Sequence, residues 1–119
     1  MRELMNSIFG DVLTNYHATF IPNIYYIVLD DSRRISIHFY STENTSSFNA
    51  ISLAITDKYT GIVCKRTVML KDILEGVDRF RFDSNAEAMW YKDYSKVELS
   101  DEDRRRMATL LDSYLRLWA

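Results

Sequence analysis

The sequence predicts an α+β fold: an antiparallel sheet of about five strands, run as a meander, with an N-terminal and a C-terminal helix packed on it. Three observations lead there. Apolar residues recur at spacings of three and four near both ends of the chain, the period of one helix face. Between those ends, residues 23–82 fall into short β-branched and aromatic runs, several of which alternate apolar with polar residues. Asp, Ser, Asn and Gly, the residues that favour turns, separate the runs.

In chain order, Leu4, Met5, Ile8, Phe9, Val12, Leu13 and Tyr16 share one face of a helix expected over residues 3–17. Pro22 cannot continue a helix and sets Ile21 in an extended conformation. Residues 23–30 are apolar on both pleat faces, with Ile24, Tyr26 and Val28 against Tyr25, Ile27 and Leu29. That pattern predicts a central strand covered on both sides. Asp30, Asp31, Ser32 and Arg33 make a turn. Residues 34–41 then alternate cleanly: Ile35, Ile37 and Phe39 point inward, and Arg34, Ser36, His38 and Tyr40 outward.

A polar loop is expected over residues 41–47. In the third strand, Ile51, Leu53 and Ile55 oppose Ala50, Ser52, Ala54 and Thr56, a face small enough for a helix to lie flat on it. Residues 57–61 read as a hairpin loop with Gly61 at a positive-φ position, and residues 62–70 as the fourth strand. One or two helical turns follow, stopped by Gly76. Residues 77–82 form a fifth strand in which Arg79 and Arg81 alternate with Phe80 and Phe82. A short helix capped by Asp83 or Ser84 is expected through Ala86, Met89, Trp90 and Tyr94. The last helix has the clearest start. Ser100 with Asp103 resembles a capping box, and Asp101 and Glu102 suit the positive end of the helix dipole. Met107, Leu110, Leu111, Tyr114, Leu117 and Trp118 then form its apolar stripe.

Composition narrows the function classes. The 119 residues have the length of one domain, 1–119, and 47% hydrophobic with 27% charged residues is a globular balance. A net charge of −2 and a pI of about 5.6 argue against retention on nucleic acid by bulk electrostatics. Cys64 is the single cysteine, which excludes an intramolecular disulfide and a cysteine-rich zinc site. The N-terminal residues have no secretory character, and no apolar run approaches the roughly 20 residues a membrane helix needs. The expectation is a cytoplasmic protein without a membrane partner, in which the sequon Asn44-Thr45-Ser46 meets no glycosylation enzyme.

No catalytic constellation, metal site or cofactor motif emerges. Cys64 could act as a nucleophile only beside His17 or His38, and a mid-strand cysteine more often serves as a small hydrophobe. Neither histidine has a second ligand at metal spacing, and Gly10, Gly61 and Gly76 are too far apart for a phosphate loop. The expected function is non-catalytic protein binding, as an inhibitor, immunity or chaperone-like adaptor, alone or as a homodimer. That class rests on analogy of fold. The binding residues would be Trp90, Tyr91, Leu115, Leu117 and Trp118, apolar and aromatic groups in excess of a minimal core. Arg34, His38, Tyr40, Arg79 and Arg81 would supply a polar contact face. The alternative partner for that face is single-stranded nucleic acid, held by stacking and phosphate contact.

Overall fold

The computed structural model describes residues 2–21, 24–42, 47–74, 79–82, 88–92, 95–97 and 100–118, giving only the backbone for 2–6, 47 and the residues within 79–97. Helix α1 (Arg2–Asn15) opens the chain and buries Ile8, Phe9 and Leu13. It ends in a tight hydrogen-bonded cap. The His17 amide donates to Thr14 O at 3.0 Å and the Ala18 amide to Leu13 O at 2.9 Å, with His17 itself at φ 57°. This is the Schellman arrangement with histidine in the left-handed position glycine usually takes. His17 thus terminates the helix.

Five strands follow in one antiparallel sheet: β1 (Thr19–Ile21), β2 (Ile24–Val28), β3 (Arg33–Tyr40), β5 (Ala50–Asp57) and β6 (Gly61–Met69), in the order β1-β2-β3-β5-β6. The two-residue strand β4 (Ser47–Phe48) belongs elsewhere. It pairs with β7 (Arg79–Phe82), which continues through β8 (Ala88–Lys92) to β9 (Ser95–Val97) in a second, four-stranded sheet ordered β4-β7-β8-β9. The one-turn helix α2 (Leu70–Ile73) follows β6, and α3 (Asp101–Trp118) closes the fold. Helix α3 begins as its sequence indicates. Ser100 Oγ accepts from the Asp103 amide at 3.1 Å, and Asp103 Oδ2 accepts from the Ser100 amide at 3.2 Å.

The meander and the two terminal helices are as expected, but four details differ. The fifth strand of the main sheet is β1; residues 79–82, expected there, pair with Phe48 and with β8 instead. The short helix expected through Met89 and Trp90 is strand: Trp90 lies opposite Phe80 and Val97, so the aromatic run finds partners across two ladders. β2 is buried on one face only. Tyr25 and Ile27 are inside, while Val28 is 77% exposed. Finally, the helices do not lie on the small face of β5. They pack on the large one, with Ile51 and Leu53, because that face removes more apolar surface from water. Pro22, the sequon at 44–46, Gly76 and the expected cap at 83 or 84 lie outside the described residues.

The core is a single cluster. Phe9 of α1 meets Phe39 of β3 at 5.1 Å between ring centroids, and Phe39 also meets Tyr25 and Phe48. Ile35, Ile37, Leu53, Leu70 and Leu74 join them, under Met107, Leu111 and Leu115 of α3. The two long helices are also tied by polar groups. The Tyr16 hydroxyl donates to Asp112 Oδ1 at 3.0 Å, and Arg116 pairs with Asp112 Oδ2 at 2.7 Å.

This packing separates two leucines of α3 that the sequence alone puts in one stripe. Leu111 is 2% exposed and Leu117 80% exposed. Leu111→Ala is expected to lower the unfolding free energy by about 2–5 kcal/mol, and Leu117→Ala to stay within about 0.5 kcal/mol of the parent, both read from urea unfolding.

Candidate functional site

The alternation in β3 builds the outer face of the main sheet. Ile35, Ile37 and Phe39 are buried on the helix side, which turns Arg34, Ser36, His38 and Tyr40 the other way. The ladder registers extend this face in rows: Val28, Arg34, Thr56 and Ile62 at one end, then Tyr26, Ser36, Ala54 and Lys65, with His38, Ser52 and Thr67 beyond. Two aromatic contacts organise it. The Arg34 guanidinium carbon sits 4.3 Å from the Tyr26 ring centroid, and His38 stacks on Tyr40 at 5.4 Å. The middle of the face is low, because β5 contributes only Ala50, Ser52, Ala54 and Thr56.

Of the five residues expected on a shared polar face, the structure brings together Arg34, His38 and Tyr40. Arg79 and Arg81 lie on β7, opposite Tyr91 and Met89, and so belong to the other sheet. Trp90 and Tyr91 lie on β8, where the backbone alone is described. At the end of α3, Leu115 is fully buried and is a core residue. Trp118 is half-buried against the core, and Leu117 projects into solvent. A helical period accounts for the split. Met107, Leu111 and Leu115 face the sheet, whereas Leu110, Tyr114 and Leu117 form a second stripe turned to one side. Arg66 of β6 lies over Tyr114, its guanidinium carbon 5.1 Å from the ring centroid, so this second stripe flanks β6.

Sequence reasoning missed the edge of the sheet. β6 is the last strand in the order, and Gly61 to Thr67 are all exposed, including Ile62 at 63% and Val63 at 57%. Its first turn of pairing is irregular. Ile55 faces Cys64 but Thr56 faces Ile62, which leaves Val63 as the extra residue of a bulge. From Cys64 to Met69 the ladder is regular. The Leu70 amide donates to Asn49 O at 2.8 Å just beyond the pair Ala50 and Met69. The alternation of an antiparallel ladder then points the amides of Val68 and Arg66 toward β5, and those of Met69, Thr67 and Lys65 outward. The exposure of β6 from Gly61 to Thr67 follows from its place at the edge of the sheet, which its own residue pattern does not signal.

The nucleophile candidates do not converge. Cys64 is exposed and pairs with Ile55 on the helix side of the sheet, His38 lies on the outer face, and His17 caps α1. Among the described residues, no three of His, Cys, Asp and Glu gather as a metal site, and no helix is long and apolar enough to cross a membrane. The carboxylates that do cluster serve turns. Asp30 Oδ1 accepts from the amides of Ser32 and Arg33 at 2.9 and 2.8 Å, and Asp57 Oδ1 accepts from those of Tyr59 and Thr60 at 2.8 and 3.2 Å. The Lys58 amide, donating to Ser32 O at 2.8 Å, joins the two turns around a cleft of about 380 Å3. Compared with known proteins, the chain matches no family model, no curated protein and no solved structure.

The turn at Asp30 has a titration signature. Amide donation from Ser32, then the Arg33 side chain and amide, lowers its pKa from 3.8 to about 2. A carboxylate with a depressed folded-state pKa contributes stability that is present above the unfolded value and is lost as pH falls through the folded one. The stability difference between the parent and Asp30→Asn, read from urea midpoints, is expected to be constant above about pH 5 and to shrink between about pH 5 and 2.

Proposed function

We propose that this chain is a small, non-catalytic protein-binding module of the inhibitor, immunity or chaperone-like adaptor kind, acting on another protein through the side stripe of α3. The observation that carries the reading is Leu117, 80% exposed beside half-buried Leu110, Tyr114 and Trp118 on a helix whose core positions are already filled. Apolar side chains grouped in this way on a surface mark docking sites more often than chance exposure does. Arg66, stacked on Tyr114, supplies the Arg and aromatic pairing enriched where binding energy concentrates.

Burying one such side chain is worth about 1.5–3 kcal/mol, or roughly 10–100-fold in affinity. Leu117→Asp and Trp118→Ala are therefore expected to weaken association by about tenfold or more, whereas Arg105→Ala, about three turns earlier in the helix, changes it little. The measurement is partner affinity, together with light scattering of the free chain for a homodimer. An unchanged affinity and mass in both variants contradicts the reading.

A second reading has one observation in its favour: Arg34 on Tyr26 and His38 on Tyr40 give the outer sheet face stacking groups beside a cation. With Arg79 and Arg81 on the other sheet, Arg34 and Lys65 are the cations on the described part of that face. Labelled single-stranded RNA is expected to stay unshifted at about 50 mM salt; a shift that weakens steeply as salt rises would transfer the assignment to nucleic acid.

A further inference from the structure

The two edges of the main sheet are unlike. β1 is three residues long, the short edge by which natural sheets avoid pairing with strangers. β6 is nine residues long, is exposed from Gly61 to Thr67, and beyond the bulge at Val63 keeps an unbroken ladder on its inner side. Its free side therefore presents the outward amides and carbonyls of Lys65, Thr67 and Met69 at regular spacing. Along its flank runs the apolar stripe of α3, fixed there by Arg66 on Tyr114.

Charge decides what fits. β6 contains Lys65 and Arg66 and no carboxylate. The two cations fall on opposite faces of the sheet, and among the described residues neither has a carboxylate within ion-pair distance. Asp57, at the near end, is turned into its own loop. A strand added to this edge would meet one positive charge on each of its faces. A second copy of the chain fits poorly, since full-length antiparallel pairing of two β6 strands sets Lys65 directly opposite its counterpart, and like charges across a ladder destabilise it.

Resting on the protein-binding reading above, we propose that the β6 edge takes an extended, acidic segment of a partner protein as a sixth strand, its backbone on Lys65, Thr67 and Met69, its acidic side chains on Lys65 and Arg66, and its apolar ones against Leu117. The probe is a capped heptapeptide of valine and threonine with two adjacent central glutamates, one for each face of the added strand, and the control carries two lysines in their place. Fluorescence anisotropy is expected to give binding of the glutamate peptide about tenfold tighter than of the lysine peptide, and amide exchange to slow about tenfold at Lys65 and Thr67 and not at Arg66 or Val68. Thr67→Pro removes one outward amide without touching the ladder to β5 and is expected to weaken binding by about tenfold. Should Thr67→Pro fail to fold, Lys65→Glu with Arg66→Glu tests the same point by reversing the preference between the two peptides.

Equal binding of both peptides, or no slowing at Lys65 and Thr67, overturns the proposal, as does a homodimer that forms through β6 and excludes the peptide. The reading beneath it fails separately. If Leu117→Asp abolishes partner association while Thr67→Pro leaves it intact, the chain is a binding module and β6 is not the place where an added strand docks.

Discussion

One constraint organises the molecule: the main sheet buries its large apolar side chains on one face, and both long helices pack there. Strict alternation in β3 forces Ile35, Ile37 and Phe39 to one side, and the registers align Tyr25, Ile27, Ile51 and Leu53 beside them. Phe9 from α1 and Met107, Leu111 and Leu115 from α3 close over that layer. A one-residue slip in any of these ladders would turn its apolar set to water, so burial and register enforce each other. What the helices leave uncovered follows from the same choice. The outer face, the β6 edge and the side stripe of α3 are the surfaces left over once the core is made.

Polar groups hold the ends of this arrangement. At the helix end, Tyr16, Asp112 and Arg116 join α1 to α3. At the hairpin end, Asp30 and Asp57 each satisfy two backbone amides of their own turn, and the Lys58 amide bonds across to Ser32. Such groups explain the conspicuous carboxylates without chemistry. They fix the hairpins that set strand register, and the register fixes which residues reach the outer face.

Much of this fold was legible because its signals are local. Alternation in residues 34–41, the Asp57 to Gly61 hairpin with Gly61 at φ 85°, and the reciprocal Ser100 and Asp103 cap are short-range patterns with short-range causes. The misses have a common origin in long-range pairing. Thr19–Ile21 is too short to show a period and becomes a strand because β2 returns beside it. Met89 and Trp90 imitate helical spacing, yet their run has Phe80 on one side and Val97 on the other. The apolar content of residues 24–28 suggests cover on both faces, but Tyr26 is content half-exposed under Arg34. The candidate site was legible in part. Leu117 and Trp118 mark the right end of α3, whereas Leu115 is separated from them by its helical phase, and the β6 edge is a property of strand order, which no local pattern encodes.

With its large apolar side chains buried on one face, the main sheet leaves β6 as an open edge. Amide hydrogen exchange on the free chain at low concentration reads that edge residue by residue. Slow exchange is expected at Ile35, Ile37, Arg66 and Val68, whose amides are inside the ladders or face β5, and fast exchange at Lys65 and Thr67. Equal protection of Lys65, Arg66, Thr67 and Val68 in a monomer would contradict it, because it would mean that something in the chain already covers that edge.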